Sequence, residues 1–254
     1  VAWVSLARPE KQNALSFAMF VELSNVIKEI KRDRSLRAVV ISGEGEHFCS
    51  GLDVAAVMKK PSNIIKLLFK WLPGNQNLAQ KVVLGWQDIS IPVIAKVTGH
   101  CFGGGMQIAL GADYRIVDKN AKLAIMEARW GLCPDMGANV VLAGLMKRDQ
   151  ALWLASHAGP VSAEDAKEYG LVTQLTDDVD KQTDAVLETL MARSPDTLAA
   201  IKRITQQSFR SQQRKILAKE TWSQIRLLMN PNTKKAIAKA KGAEDIKFNN
   251  AKSW

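Results

Sequence analysis

Two glycine-centred stretches carry residue types able to do chemistry. One is Phe48-Cys49-Ser50-Gly51-Leu52-Asp53. The other is Gly99-His100-Cys101-Phe102-Gly103-Gly104-Gly105-Met106-Gln107. The first follows the β-rich run Ala38-Val39-Val40-Ile41-Ser42, the second Pro92-Val93-Ile94-Ala95-Lys96-Val97, and each runs on into a helix-like segment. Glycine lets a backbone turn sharply and approach a ligand with no Cβ in the way. A helix start leaves N–H groups without internal partners, free to point at an anionic oxygen. Two such starts facing one another would supply a pair of donors for one developing oxyanion. No nucleophile stands out: Ser50 adjoins the first turn, and no histidine is placed in the sequence to activate it. The glycines at 99–105 lack dinucleotide-fingerprint spacing and the ribose-binding acid about 20 residues on, which argues against redox chemistry.

Four ordered segments give the chain a resemblance to the crotonase superfamily, the enoyl-CoA hydratase/isomerase group. They are Arg8-Pro9-Glu10-Lys11-Gln12-Asn13-Ala14-Leu15, the two turns above, Glu127-Ala128-Arg129-Trp130-Gly131-Leu132-Cys133-Pro134-Asp135-Met136-Gly137, and Ala163-Glu164-Asp165-Ala166-Lys167-Glu168-Tyr169-Gly170-Leu171-Val172. The resemblance spans nearly the whole chain. It implies an α/β fold with a crotonase-type ββα spiral core over 1–190 and a C-terminal α-helical oligomerisation region over 191–254. It implies homotrimers, or hexamers built as pairs of trimers. The substrate it implies is an acyl-CoA thioester, with coenzyme A arriving as part of that substrate and no cofactor bound permanently.

Roles follow from the same resemblance. The two oxyanion donors fall on the backbone N–H groups of Leu52 and Gly104. They would polarise a thioester carbonyl and hold the enolate left when a proton leaves C2; losing one such donor typically costs about 3 kcal/mol in the transition state. Contacts to the acyl-CoA are implied for Arg8, Lys11, Ala14, Ser50, Gly51, Leu52, Asp53, Gly103 and Gly104. Hydratases of the group use two glutamates. The second falls on Glu127, but the place of the first is taken by Gln107, an amide that can orient a water and cannot exchange a proton at neutral pH. Asp135, eight residues after Glu127, matches the pattern of the group's dienoyl-CoA isomerases, and Ser50-Gly51-Leu52-Asp53 is similar to their Ser-Gly-Ile-Asp. Those enzymes convert a 3,5-dienoyl thioester to the 2,4-isomer. Two carboxyls at opposite ends of a diene suit that task, one taking a proton and the other returning one. Burial in an apolar acyl pocket would raise both pKa values. Such isomerases usually carry Asp where this chain has Gln107. Double-bond isomerisation is thus the leading expectation. Hydration, or another crotonase-type reaction with Glu127 as the main acid/base, is the alternative, and a non-catalytic acyl-CoA-binding protein is a third. On residue type alone, Glu127 also reads as a surface or salt-bridge carboxylate, Asp135 as an N-cap for a helix over 136–145, and Gln107 as a plain helix residue; Asp53 reads as the cap of the helix after the first turn.

The elements that must position these residues are partly legible. Ala2-Trp3-Val4-Ser5-Leu6 alternates as a strand, and 16–30 has the period of an amphipathic helix capped by Ser16. Residues 36–42 read as a buried strand, 104–110 as a helix, and 114–117 and 122–125 as two short, hairpin-like strands. The alternation favours α/β. Turn signals at 60–63 and 73–76 bracket an apolar helix over 64–72, expected to pack on the core surface or to cover the acyl chain. From 183 onward, helices over 183–192, 196–210, 213–229 and 232–241 carry an apolar strip including Leu187, Ile201, Ile204, Leu217 and Trp222. That strip must bury itself on its own core or, as the resemblance implies, against other copies.

Composition sets the bounds. With 254 residues and 47% hydrophobic content the chain has material for a real core. Three cysteines and three scattered histidines form neither a disulfide framework nor a zinc pattern, so we expect no metal and read the cysteines as small buried hydrophobes. No signal peptide or membrane-length apolar run is present, and a cytoplasmic protein is expected. The chain opens on Val1 inside a strand-like run, from which a few preceding native residues are expected. The net charge of +10 lies entirely in 193–254, which holds 14 Lys/Arg against 4 Asp/Glu. It reads as a solvated helical face or as attraction for the phosphates of coenzyme A. With no aromatic platform interleaved, nucleic acid is not an expected partner.

Overall fold

The computed structural model describes residues 1–209 and 213–249. Position 210, expected to end a helix, lies outside them. The strands are β1 (Ala2–Leu6), β2 (Val39–Gly43), β3 (Val93–Val97), β4 (His100–Phe102), β5 (Tyr114–Asp118), β6 (Lys122–Ala124), β7 (Val161–Ser162) and β8 (Gln174–Thr176). Five form a sheet in the order β1-β2-β3-β5-β8, and three form a second sheet in the order β4-β6-β7. Every pair in the larger sheet is parallel, with Val40 opposite Ile94 and Ala95 opposite Arg115. The parallel arrangement explains the near-continuous apolar runs: Val39, Val40, Ile41, Val93, Ile94 and Ala95 are all buried, because such a sheet is covered on both faces. The expected hairpin over 114–125 does not form. β5 joins the larger sheet beside β3, while β6 steps across to pair in parallel with β4. From β3 to β6 successive strands thus alternate between the two sheets, β3 and β5 in the larger and β4 and β6 in the smaller.

The helices are α1 (Phe17–Arg32), α2 (Val54–Met58), α3 (Pro61–Leu68), α4 (Leu78–Leu84), α5 (Gly104–Gly111), α6 (Ala138–Leu145), α7 (Arg148–His157), α8 (Ala163–Glu168), α9 (Val179–Met191), α10 (Pro195–Phe209), α11 (Gln213–Leu228) and α12 (Pro231–Ala240). α1 buries Phe20, Leu23, Ile27 and Ile30 on one face, and its Ser16 cap accepts a hydrogen bond from the Met19 N–H at 3.3 Å, as expected. The helix expected over 64–72 is shifted. It starts at Pro61, whose missing N–H suits a first-turn position, and ends at Leu68 as Phe69 turns extended. All eight residues of α5 are buried. A Cβ on its Gly105 would lie 2.5 Å from the Cys49 Cβ, so glycine there lets the two turn-bearing segments pack backbone to backbone. α10 is fastened to the core by Lys202, which donates to the carbonyls of Trp86 and Ile91 and pairs with Asp113 at 2.6 Å. Among the described residues no helix is long and apolar enough to cross a membrane.

Candidate active site

The two glycine turns meet. The Cys49 N–H donates to the His100 carbonyl and the Phe102 N–H to the Cys49 carbonyl, both at 2.9 Å, which ties the segment before Gly51 to the segment before Gly103. Gly51 has φ +99° and Gly103 φ +49°. A Cβ on Gly51 would stand 3.1 Å from the Phe102 carbonyl oxygen and 3.7 Å from the Gly104 nitrogen, so the approach requires glycine. Leu15 straps the first turn, donating to the Gly51 carbonyl and accepting from the Asp53 N–H. Among the described residues neither the Leu52 nor the Gly104 N–H enters a backbone hydrogen bond; Gly104 opens α5, where no intrahelical acceptor exists.

Both turns face a cavity of about 330 Å³. α2 and α3 wall one side with Val54, Val57, Ile64, Leu67 and Leu68, so the 54–68 segment covers the cavity. The opposite wall comes from α11 and α12, through Gln224, Leu228, Thr233 and Ile237. The Thr233 hydroxyl donates to the Gly131 carbonyl at 3.1 Å, seating α12 on the 3-10 turn Glu127–Trp130.

Glu127 and Asp135 both line this cavity. A Cβ on Gly103 would lie 3.7 Å from Glu127 Oε1, so Glu127 stands against the second turn. Gln107 is fully buried. Its Nε2 donates to Glu127 Oε1 at 2.7 Å, and its Oε1 accepts from the Met136 and Ala138 N–H groups at 3.1 and 3.3 Å. It is therefore neither a plain helix residue nor a free amide. Glu127 Oε2 is buried and lacks a hydrogen-bond partner. Burial raises the Glu127 pKa above its ordinary value, against hydrogen bonds its carboxylate accepts from its own backbone, from Gln107 and from the Met126 backbone. Asp135 is pushed up to about 8 by burial first, then by the charges of Glu220 and Glu127. It is not the helix cap expected on residue type: α6 begins at Ala138, with Gly137 in the cap position.

Of the remaining expected residues, Ser50 lines the cavity, while Arg8, Lys11, Ala14 and Asp53 do not. Asp53 caps α2, accepting from the Ala56 N–H at 3.0 Å, and pairs with Arg8 at 3.2 Å. The Arg8 guanidinium also donates to the Ala14 carbonyl at 2.6 Å, so it braces the loop from inside. Ser50 donates to the Lys11 carbonyl at 3.3 Å. Lys11 lines an open groove with Ser16, Asp53, Lys59 and Lys60.

Several participants carry no sequence motif. Glu220 on α11 is buried beside the loop bearing Asp135, and Lys70, Gln80 and Asn139 join it. The one signal that could have found Glu220 is its place on a buried i, i+3, i+4, i+7 stripe with Leu217, Thr221 and Gln224. The histidines are less scattered than expected: His47 and His100 stack with ring centroids 4.1 Å apart, and the His100 N–H donates to His47 Nδ1. Among the described residues no group of three His, Cys, Asp or Glu is arranged to hold a metal ion. Cys49 and Cys101 are buried as expected, while Cys133 is half-buried; burial pushes the Cys49 and Cys133 thiols up to about 12.

Comparison with known proteins gives this site its setting. The family model for enoyl-CoA hydratase/isomerase matches residues 1–248. The chain is 31% identical over 178 residues to 1,2-epoxyphenylacetyl-CoA isomerase of Escherichia coli, covering 70% of this chain and 67% of that protein. It is 32% identical over 190 residues to the mouse mitochondrial Delta(3,5)-Delta(2,4)-dienoyl-CoA isomerase, covering 73% and 58% respectively. A crystal structure of an enoyl-CoA hydratase/isomerase from Mycobacterium paratuberculosis superposes with a TM-score of 0.84 at 21% identity, covering 93% of each chain. The α/β spiral with trailing helices is thus the crotonase fold, as expected, and CoA thioesters are the compounds on which the family acts. The chain belongs to the enoyl-CoA hydratase/isomerase family.

Proposed function

We propose that the protein is an acyl-CoA double-bond isomerase that converts 3,5-dienoyl thioesters to 2,4-dienoyl thioesters. The thioester oxygen accepts from the Leu52 and Gly104 N–H groups, where developing negative charge is best stabilised. Glu127, against the Gly103 turn, takes the proton from C2. The electron pair of that C–H bond delocalises through the diene into the thioester, and the C6 end takes a proton from Asp135. Glu127 gains one proton and Asp135 loses one, and exchange with water resets both. The observation that carries this reading is the commitment of Gln107. Its carbonyl holds two N–H groups and its amide holds Glu127, so it serves as a brace for one carboxyl rather than as a water-orienting partner in hydration. Asp135 supplies the second carboxyl in the same cavity. Lys11, Lys59 and Lys60 share the outer groove, and their positive charge supports a reading in which that groove takes the coenzyme A phosphates.

The test is turnover of 3,5-dienoyl-CoA and trans-2-enoyl-CoA side by side, followed in the ultraviolet. We expect conversion of the dienoyl substrate, reduced at least about 100-fold in Asp135→Asn with binding retained, the usual scale for losing a positioned acid. Hydration of the enoyl substrate alone would overturn the isomerase assignment and leave Glu127 as the principal acid/base.

A further inference from the structure

We propose that Glu220 of α11 positions Asp135 for proton transfer, acting through the loop it fastens and through its negative charge. The inference rests on the isomerase reading for the use made of Asp135, though not for its physical test. Glu220 does not line the cavity. Its carboxylate accepts four hydrogen bonds: from the Gly137 N–H at 3.0 Å, the Asn139 N–H at 3.2 Å, Asn139 Nδ2 at 3.0 Å and Gln80 Nε2 at 3.2 Å. Asn139 Nδ2 also donates to the Pro134 carbonyl at 3.0 Å, so residues 134–139 are closed into a loop with Asp135 inside it. The donors from Gly137 and Asn139 lie at the start of α6, whose cap residue offers no side chain. Glu220 therefore does from another helix what an N-cap side chain would do locally.

The charge has a second effect. The titratable groups around Asp135 are Glu220 on α11, Cys133 on the same loop, Glu127 on its 3-10 turn, and Lys70 after α3. Two neighbouring buried carboxyls cannot both ionise cheaply, and the proton goes to the one with fewer donors. Glu220 accepts four N–H bonds, whereas among the described residues the one hydrogen bond favouring the Asp135 carboxylate comes from its own backbone N–H. Burial raises both carboxyls, Glu220 to about 7 and Asp135 to about 8, so as pH rises the negative charge settles first on Glu220 while the proton stays on Asp135, which faces the cavity. Lys70 works in the opposite sense. Its Nζ donates to Gln80 Oε1 at 3.2 Å and to the Leu217 carbonyl at 3.1 Å, and its charge favours ionised Asp135.

The experiment reads the Asp135 carboxyl directly, by carbon-13 NMR titration of the full chain carrying carboxyl-labelled aspartate, with Asp135→Asn assigning the resonance. No substrate is present. Absence of dienoyl-CoA turnover would therefore sink the isomerase reading and leave this one standing. We expect Glu220→Gln to lower the Asp135 midpoint by about one pH unit, a tenfold change in its ionisation ratio, and Lys70→Gln to raise it. Opposite signs are the signature of charge, since general loosening of the loop would move both variants the same way. Midpoints that stay put, or that shift together, overturn the proposal. Should Glu220→Gln fail to fold, Lys70→Gln decides alone: an unmoved or lowered midpoint is the overturning result. Where turnover is present, the alkaline limb of kcat in Glu220→Gln should move down with the NMR midpoint while KM holds.

Discussion

At the scale of single residues, the site is a set of carboxyls kept apart by what surrounds each one. Asp135 holds a proton up to about pH 8 because burial disfavours its charged form and Glu220 and Glu127 repel it. If it is the acid of the reaction, kcat falls as pH rises through about 8, and Asp135→Asn has no such limb left to show; a pH–rate profile checks this. The same proton has a stability consequence. Between the ordinary carboxylate range and about 8 the native chain keeps a proton that the unfolded chain has released, so stability falls as pH rises across that interval and levels off above it. Urea midpoints should therefore drop more between pH 5 and pH 8 for the wild type than for Asp135→Asn. Leu52, Gly104, Glu127 and Asp135 were legible in the sequence because ordered motifs mark them. Glu220 was not: its partners at 80, 137 and 139 lie more than 80 positions away, and such long-range contacts leave no local pattern.

Elements succeed or fail here by close approach. α5 carries the second turn, and its Gly105 sits against Cys49 with no space for a methyl group. Gly105→Ala should destabilise by about 1–3 kcal/mol, the usual cost of overpacking, and should weaken turnover with it because the two turns are forced apart; chemical denaturation alongside kinetics would show both. α10 depends on a different device. Its Lys202 is almost fully buried in the pair with Asp113. Lys202→Met leaves Asp113 without its cation, and a loss of about 3–5 kcal/mol in unfolding free energy is expected, since an uncompensated buried charge costs that much. Strand and helix types were readable from periodicity. The pairing of β5 and β6 was not, because two short apolar runs joined by a turn look the same whether they pair with each other or with earlier strands. The end of α3 was misplaced for a related reason: Phe69, Trp71 and Leu72 are apolar yet exposed, so hydrophobicity overstated the helix.

Across the whole molecule, charge and apolar surface divide unevenly. The basic surplus of residues 193–254 shares its helices with exposed Ile201, Ile204 and Trp222, while Leu217 is buried. The apolar strip read from the sequence is thus partly buried on the chain's own core and partly left outside. We expect the outer part to be covered by further copies in a trimer or hexamer. Sedimentation velocity should give a multiple of the chain mass and Trp222→Asp should reduce it, whereas a wild-type monomer would count against assembly through this face. α11 and α12 also close the cavity behind Trp130, through Gln224, Leu228, Thr233 and Ile237. Synthesis proceeds from the N-terminus, so the turns at 51–52 and 103–104 leave the ribosome long before those two helices do. In the nascent chain those two turns therefore stay open to water until the stretch around Ile237 has emerged and folded back to complete the cavity wall.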